Sequence, residues 1–366
     1  MKILMSADTL GGVWTYSVEL IRALAKHDVD VCLATMGAPL SPAQRAEADA
    51  LTNACVYESA HRLEWMDDAW DDVRTAGDWL LGIEQKERPD VVHLNGYCHG
   101  DLKWHAPTLM VGHSCVMSWW SAVHGEVAPA KYDIYHERVR RGVQAASLVV
   151  APTCTMLSEL TRWYGAPEHT AVIPNGVDEL TFQCESFEGK EPMIMAAGRV
   201  WDEAKNIHLL ERIAPHLEWP VYIAGATDRP DNLNSEHLNG NTAAYRLGNL
   251  PRNELSRWMR KASIYAFPAR YEPFGLSILE AAMSRCALVL SNIPSLREVW
   301  GGAAMFVQPN DVDALQRAIE QLIAMPDLRM GLADAACQRA RLFSAERMAK
   351  NYFAAYQHLM GRRVMA

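Results

Sequence analysis

The sequence predicts an α/β protein built as two similar units that face each other across a linker. Two observations carry this prediction. Apolar runs of strand length alternate with helix-period segments from end to end, which is the pattern of parallel strands buried on both faces and joined by crossover helices. The alternation breaks clearly once, after Ile173, in Pro174-Asn175-Gly176-Val177-Asp178 and the polar residues 183–192, and restarts at 193–197. A chain of 366 residues is also long for one core and suited to two.

In the first half, short runs rich in Val, Ile and Leu place strands at 2–5, 29–34, 91–94, 108–111, 148–150 and 171–173. The first leads through a glycine turn into an amphipathic helix at 13–25. In the second half, strands are expected at 193–197, 221–224, 263–267 and 288–290, with helices at 206–214, 277–283 and 312–323. The expected division is 1–174, a linker at 175–190, a second domain at 191–344, and a helical segment at 345–366 whose pattern is clearest over 345–360.

Hydrophobic residues at 49% and charged residues at 22% exclude a disordered chain. The formal charge is −9, and residues 1–174 hold 14 Lys and Arg against 22 Asp and Glu. An acidic front half argues against nucleic acid as a partner and makes membrane docking unexpected, since both need clustered cations. The acidic residues 64–72, with Asp67, Asp68, Asp71 and Asp72, read as a solvated helix start. Cysteines at 32, 55, 98, 115, 154, 184, 286 and 337 include no CxxC pair and read as reduced thiols. Met1-Lys2-Ile3-Leu4-Met5-Ser6 runs straight into a strand without a signal-peptide pattern, and no apolar run reaches the membrane-spanning length of about 18 residues. The expectation is a cytoplasmic protein.

Three segments carry chemistry. Ser6-Ala7-Asp8-Thr9-Leu10-Gly11-Gly12 joins the first strand to its helix. Gly11 and Gly12 allow close backbone approach, and the helix start offers free N–H groups to an anion the size of a phosphate; paired glycines serve as often in a plain tight turn. Gly198-Arg199-Val200, followed by Lys205-Asn206 at an expected helix start, sets a planar fork and a point charge beside one loop. That pairing suits a diphosphate leaving group without a metal, or is simply two surface cations. Tyr271-Glu272-Pro273-Phe274-Gly275-Leu276-Ser277-Ile278-Leu279-Glu280 places one carboxylate before a helix and one inside it. A carboxylate accepts paired hydrogen bonds from sugar hydroxyls, and the N–H groups of Phe274, Gly275 and Leu276 can meet phosphate oxygens.

Taken together and in this order, these features resemble family 4 of the glycosyltransferases, the group 1 enzymes with two facing Rossmann-like domains, known as the GT-B fold. The Ile173-Pro174-Asn175-Gly176-Val177-Asp178 linker and the E-x7-E motif from Glu272 to Glu280 complete the match across nearly the whole chain. The resemblance implies a donor cleft between the domains and a C-terminal helix that returns to the N-terminal domain. It implies that Gly11 and Gly12 approach the donor phosphates, that Arg199 and Lys205 bind the diphosphate, that Glu280 holds the ribose hydroxyls and that Glu272 faces the transferred sugar. Leu250, in Leu247-Gly248-Asn249-Leu250, would lie near the base, and His113, in Val111-Gly112-His113-Ser114, beside the sugar. The implied activity is metal-independent transfer of a hexose, with retention of anomeric configuration, from a UDP-, GDP- or ADP-linked donor to a glycan or other hydroxyl.

The sequence departs from the family pattern after the second glutamate. Ser284-Arg285-Cys286-Ala287 stands where a glycine usually turns the chain out of the helix, so a reshaped or strained turn is expected. Glu298 matches a downstream acid and is given a supporting role. The histidines at 93, 99, 105, 113 and 124 include no pair three or four apart, so no metal ion is expected there, and His93 and His113 are placed at strand ends. Trp14, Tyr97, Trp119 and Trp120 are expected in first-domain loops, where they either stack on a sugar acceptor or pack in the core. The rival functions are a nucleotide-sugar epimerase of the same fold, which would consume donor without an acceptor, and a non-catalytic nucleotide-sugar-binding subunit.

Overall fold

A computed structural model describes residues 1–182, 186–227 and 243–365. Cys184 and the start of the polar stretch at 183–192 therefore lie outside the described residues. The chain divides into two compact units, Met1–Gly176 with Ala345–Ala366, and Val177–Ser344.

The first unit is a parallel sheet of β1 (Lys2–Asp8), β2 (Asp30–Met36), β3 (Ala54–Glu58), β4 (Val91–Leu94), β5 (Thr108–Val111), β6 (Leu148–Ala151) and β7 (Thr170–Val172), in the order 3-2-1-4-5-6-7. β1 and β2 pair in register from Lys2 opposite Asp30 to Asp8 opposite Met36. The order reverses between β1 and β4, so the connections leaving those two strands run to opposite sides. In sheets of this kind such a reversal marks where ligands bind, at the C-terminal ends of the two strands. Leu4, Val92, Met110 and Val149 form one core with Val73, Leu80, Val139 and Leu160 from the covering helices. Each fully buried aliphatic side chain contributes about 1.5–3 kcal/mol. The helix Gly12–Leu24 buries Tyr16, Leu20 and Ile21 and packs on the C-terminal helix Ala345–Met365, where Tyr16 meets Tyr352 edge-on at 5.9 Å.

The second unit repeats the plan with β8 (Glu191–Ala197), β9 (Val221–Ala224), β10 (Tyr245–Gly248), β11 (Ala262–Phe267), β12 (Ala287–Ser291) and β13 (Met305–Val307), in the order 10-9-8-11-12-13. Along β8, Met193, Met195 and Ala197 point into one core with Ile278, Leu279 and Leu288, while Ile194 and Ala196 point into another with Leu210, Ile213 and Ile319. That two-residue alternation with both faces apolar is what a parallel sheet covered on both sides requires. Here the order reverses between β8 and β11.

Three strands are absent from the sequence reading, and all three are at sheet edges: β3, β10 and β13. Each is largely exposed or half-buried along its length, so none reads as an apolar run. The helix expected at 206–214 is shorter. Lys205 ends a 3-10 turn, Asn206 adopts a left-handed φ of 56°, and the α-helix runs His208–Ile213 between that turn and another at Ala214–His216.

The turn after the E-x7-E helix is closed without glycine. Arg285 takes a left-handed φ of 55°, its N–H donates to the Ala282 carbonyl at 3.0 Å, and the Cys286 N–H reaches Ala281 at 3.0 Å. This is the ordinary exit geometry of a helix, held at a conformational cost of about 1–2 kcal/mol for a side-chain-bearing residue. Arg285 is anchored by Asp334 at 3.0 Å and by the Phe187 ring. The Lys190 ammonium donates to the carbonyls of Ser284, Ala262 (2.6 Å) and Met259 (3.2 Å) beside the turn. No helix among the described residues is long and apolar enough to cross a membrane.

Candidate active site

In the second unit, the C-terminal ends of β8 and β11 lead into the two motifs singled out in the sequence, so the strand reversal itself brings Gly198, Arg199, Lys205 and Glu272 to one place. Lys205 Nζ lies 2.8 Å from Glu272 Oε2, with only 13% and 15% of the two side chains exposed. Glu272 Oε1 also accepts the Phe274 N–H at 3.3 Å. The free N–H groups expected at this helix start therefore do not include Phe274, whose N–H is turned onto Glu272. The helix begins at Leu276, after Gly275 at φ 89°.

The loop carrying Lys205 is fixed by backbone and side chain together. Asp202 accepts the Ala204 N–H at 3.0 Å through one oxygen and the Arg199 guanidinium through the other, at 2.6 Å from Nη2 and 3.2 Å from Nε. Asp202 is 3% exposed, so it aims the guanidinium from within the protein. The fully buried Asn206 donates to the Pro268 and Pro309 carbonyls at 2.9 and 2.6 Å, and the Arg270 N–H reaches the Ala204 carbonyl at 2.8 Å. The loop after β8 is thus tied to the loop after β11.

Ser277 Oγ donates to the Ala197 carbonyl at 3.1 Å and lies 2.9 Å from the Tyr265 hydroxyl, which ties the helix Leu276–Met283 to the end of β8. Glu280 is buried in that helix. Leu250 is half-buried two residues beyond β10, packed against the core under the helix. Glu298 is exposed on the helix Pro294–Trp300.

Gly225 is a positional requirement that the sequence reading missed. At φ 140° it lies so close to the loop after β8 that an added Cβ would sit 1.8 Å from the Gly198 carbonyl oxygen. Its N–H reaches the Gly248 carbonyl at 2.7 Å. A lone glycine straight after a four-residue apolar strand is the available signal. Asp202 was missed as well; an acid three residues after Arg199 is its signal.

In the first unit, Gly11 adopts φ 92° and precedes the helix Gly12–Leu24. Both glycines are exposed, and the Asp8 carboxylate receives the Leu10 N–H at 2.6 Å, shaping the turn before them. His113 lies two residues beyond β5, half-buried, with its Nε2 2.8 Å from Asn95 Oδ1 and its ring edge-on to Tyr16 at 4.5 Å. His93 is inside β4 rather than at its end and is fully buried. Burial pushes both imidazoles down to about 3, with the neighbouring His113 adding to the effect on His93. Both rings are neutral at pH 7.

The aromatic residues expected in loops are placed differently. Trp14 is inside the helix Gly12–Leu24, 4% exposed, with its indole N–H on Glu47 Oε2 at 2.6 Å. Tyr97 does follow a strand, but it is 4% exposed and donates to the Ser114 carbonyl at 2.9 Å. Trp119 and Trp120 lie on the helix Val116–His124, half-buried, with Trp120 against His124 and Tyr132. Large apolar rings gained more from these packed positions than from a loop, and the indole and hydroxyl donors of Trp14 and Tyr97 found fixed acceptors.

Comparison with known proteins gives one family. The description "Glycosyl transferases group 1" matches residues 178–339, and "Glycosyltransferase Family 4" matches residues 10–179. The chain is 31% identical over 163 residues to the lipopolysaccharide core biosynthesis mannosyltransferase LpcC of Rhizobium leguminosarum bv. viciae, an alignment covering 42% of this chain and 46% of that protein. It is 25% identical over 363 residues to the alpha-maltose-1-phosphate synthase of Mycolicibacterium smegmatis, covering 87% of this chain and 88% of the relative. Among solved structures, the sucrose-phosphate synthase from Thermosynechococcus elongatus superposes with a TM-score of 0.80 at 20% identity, over 99% of this chain and 100% of that one. Two matched halves that together span residues 10–339, on two parallel sheets that each reverse their strand order once, make the chain a member of the group 1 glycosyltransferases.

Proposed function

We propose that this protein is a retaining, metal-independent glycosyltransferase that moves a hexose from a nucleotide-diphosphate sugar to a hydroxyl of a glycan or small acceptor. The observation that carries this reading is the meeting of Arg199, Lys205 and Glu272 at the reversal point of the second sheet, beside the helix that bears Glu280. The names of the relatives, a mannosyltransferase of lipopolysaccharide core synthesis and a maltose-1-phosphate synthase, support a sugar as the group moved.

Departure of the nucleoside diphosphate builds negative charge on a phosphate oxygen, and fixed cations aimed at that oxygen lower the barrier. Arg199 presents a fork already aimed by Asp202. Lys205 carries three donors, of which one is held by Glu272, leaving two for phosphate oxygens. These two charges do the work that a metal ion would otherwise do. In this reading Leu276 at the helix start adds an N–H to the phosphates, Glu280 accepts from the ribose hydroxyls, and Leu250 flanks the base. Glu272 faces the hexose, and the Gly11–Gly12 turn and His113 are the first unit's contributions. The acceptor hydroxyl attacks the anomeric carbon on the face from which the diphosphate leaves. The new C–O bond forms as the old one breaks, and the hydroxyl proton passes to the departing phosphate oxygen, so configuration is retained.

The test is a transfer assay with UDP-, GDP- and ADP-linked hexoses, an acceptor panel and excess EDTA, with the product's anomeric configuration read by NMR. Product with the donor's configuration, formed in EDTA, is expected. Inverted product, dependence on added metal, or donor converted to an isomer without acceptor would each overturn the proposal.

A further inference from the structure

The first unit contains a polar chain that runs from the buried Tyr356 and His93 to the half-buried Asn95 and His113, of which the sequence motifs announced only His113. Asn95, just past the end of β4, donates from Nδ2 to the Ser6 carbonyl at 2.7 Å. A carbonyl oxygen can only accept, so this contact fixes which way the amide points. Oδ1 therefore faces the two imidazoles, 2.8 Å from His113 Nε2 and 3.3 Å from His93 Nε2. An amide oxygen also only accepts, so His113 carries its proton on Nε2. In the neutral ring Nδ1 is then bare and can accept a hydrogen bond but not give one.

The rest of the chain agrees with this assignment. His93 Nε2 lies 3.3 Å from the Tyr16 hydroxyl as well as from Asn95, and His93 Nδ1 lies 2.6 Å from the Tyr356 hydroxyl on the C-terminal helix. A proton on His93 Nε2 satisfies Asn95, and Tyr356 then donates to Nδ1. Tyr16, His93, Tyr352 and Tyr356 are fully buried, and a charged His93 would carry its second proton on Nδ1, where Tyr356 would have to accept instead of donate. The polar order runs from Tyr356 through His93 to Asn95, with His113 donating to the same oxygen.

We propose that Asn95 is a positioning residue that locks His113 in its Nε2–H tautomer, so that Nδ1 is presented only as an acceptor for a hydroxyl of the sugar being transferred. This rests on the reading above that places His113 beside the sugar. A ring free to change tautomer would offer that hydroxyl a donor part of the time and lose the defined orientation.

The experiment uses the full chain labelled with 15N in histidine, without substrate, at pH 7, and reads the ring tautomers from long-range 1H–15N spectra, with His113 assigned through His113→Gln. His113 is expected as the Nε2–H tautomer in the unmodified protein. Asn95→Leu, which removes the acceptor, is expected to give mixed tautomers, and Asn95→Asp, which keeps one, to restore the single form. In the transfer assay Asn95→Leu should lower kcat at least tenfold with the donor KM within twofold, and Asn95→Asp should recover part of kcat. An Nδ1–H or charged His113 in the unmodified protein overturns the proposal even if no variant folds. An unchanged tautomer in folded Asn95→Leu does so as well. A correct tautomer in a protein that transfers no sugar would leave the locking intact and count against the functional reading instead.

Discussion

Removing the charge of Lys205 while keeping its stem, as in Lys205→Met, separates a catalytic cation from a structural one. The ammonium lies 2.8 Å from Glu272, and both side chains are mostly withdrawn from water. Losing one partner of a buried pair costs about 3–5 kcal/mol. Here the Phe274 N–H remains on the same carboxylate and some solvent reaches it, so a fold cost of about 1–3 kcal/mol is expected. The catalytic cost is separate. Removing one donor aimed at developing charge costs about 2.7–4 kcal/mol, or about 10²–10³ in kcat. The assay is initial rate against donor concentration at saturating acceptor, well below the melting temperature, with urea unfolding measured in parallel. Lys205→Met with a lowered midpoint but kcat within threefold of the parent would rule out a catalytic cation and leave Lys205 as no more than the partner of Glu272.

Arg199→Ala is expected to cost the fold about 1–3 kcal/mol, since it takes the guanidinium from the buried Asp202 carboxylate, which keeps the Ala204 N–H, and to lower kcat by about 10²; a large loss of stability with normal turnover would contradict this. Gly225→Ala drives a Cβ against the Gly198 carbonyl and should destabilise the protein by several kcal/mol, roughly the strain range of an overpacked core or more; urea unfolding within about 0.5 kcal/mol of the parent would show that the two loops can part freely. His93 is held down to about 3 in the folded state against about 6.5 unfolded. The unfolded chain thus binds the extra proton between those values, and stability is full above pH 6.5 and falls as pH drops towards 3. The loss is of order 4 kcal/mol at the low end, and it should be missing from the pH profile of a folded His93→Asn variant; identical profiles would refute it.

How much of this was legible in the sequence follows from what each residue does. Central strands such as β8 carry apolar side chains on both faces, so composition alone marks them. Edge strands such as β10, with Tyr245 exposed, carry no such mark and were missed. The cations and carboxylates at Arg199, Lys205, Glu272 and Glu280 were legible because their types and spacing are a motif. The ion pair between Lys205 and Glu272 was not, because residues 67 apart in the chain meet only once the sheet order is known. Asn95 gave no signal beyond its place just past the strand that carries His93, since its role depends on the Ser6 carbonyl brought beside it by strand pairing. Arg285 shows the reverse case: the missing glycine was legible, but not the anchoring of its side chain by Asp334 and Phe187.

In the proposed reaction the reversal point of the second sheet binds a nucleoside diphosphate through Arg199 and Lys205 without a metal ion. Thermal unfolding in EDTA with UDP, GDP or ADP tests it most directly, because a ligand of the native state raises stability by about 2.7 kcal/mol at 100 times its Kd. A clear rise with one base is expected, and its loss in the Arg199→Ala, Lys205→Met double variant. No rise with any nucleotide, or an equal rise in the double variant, would contradict it.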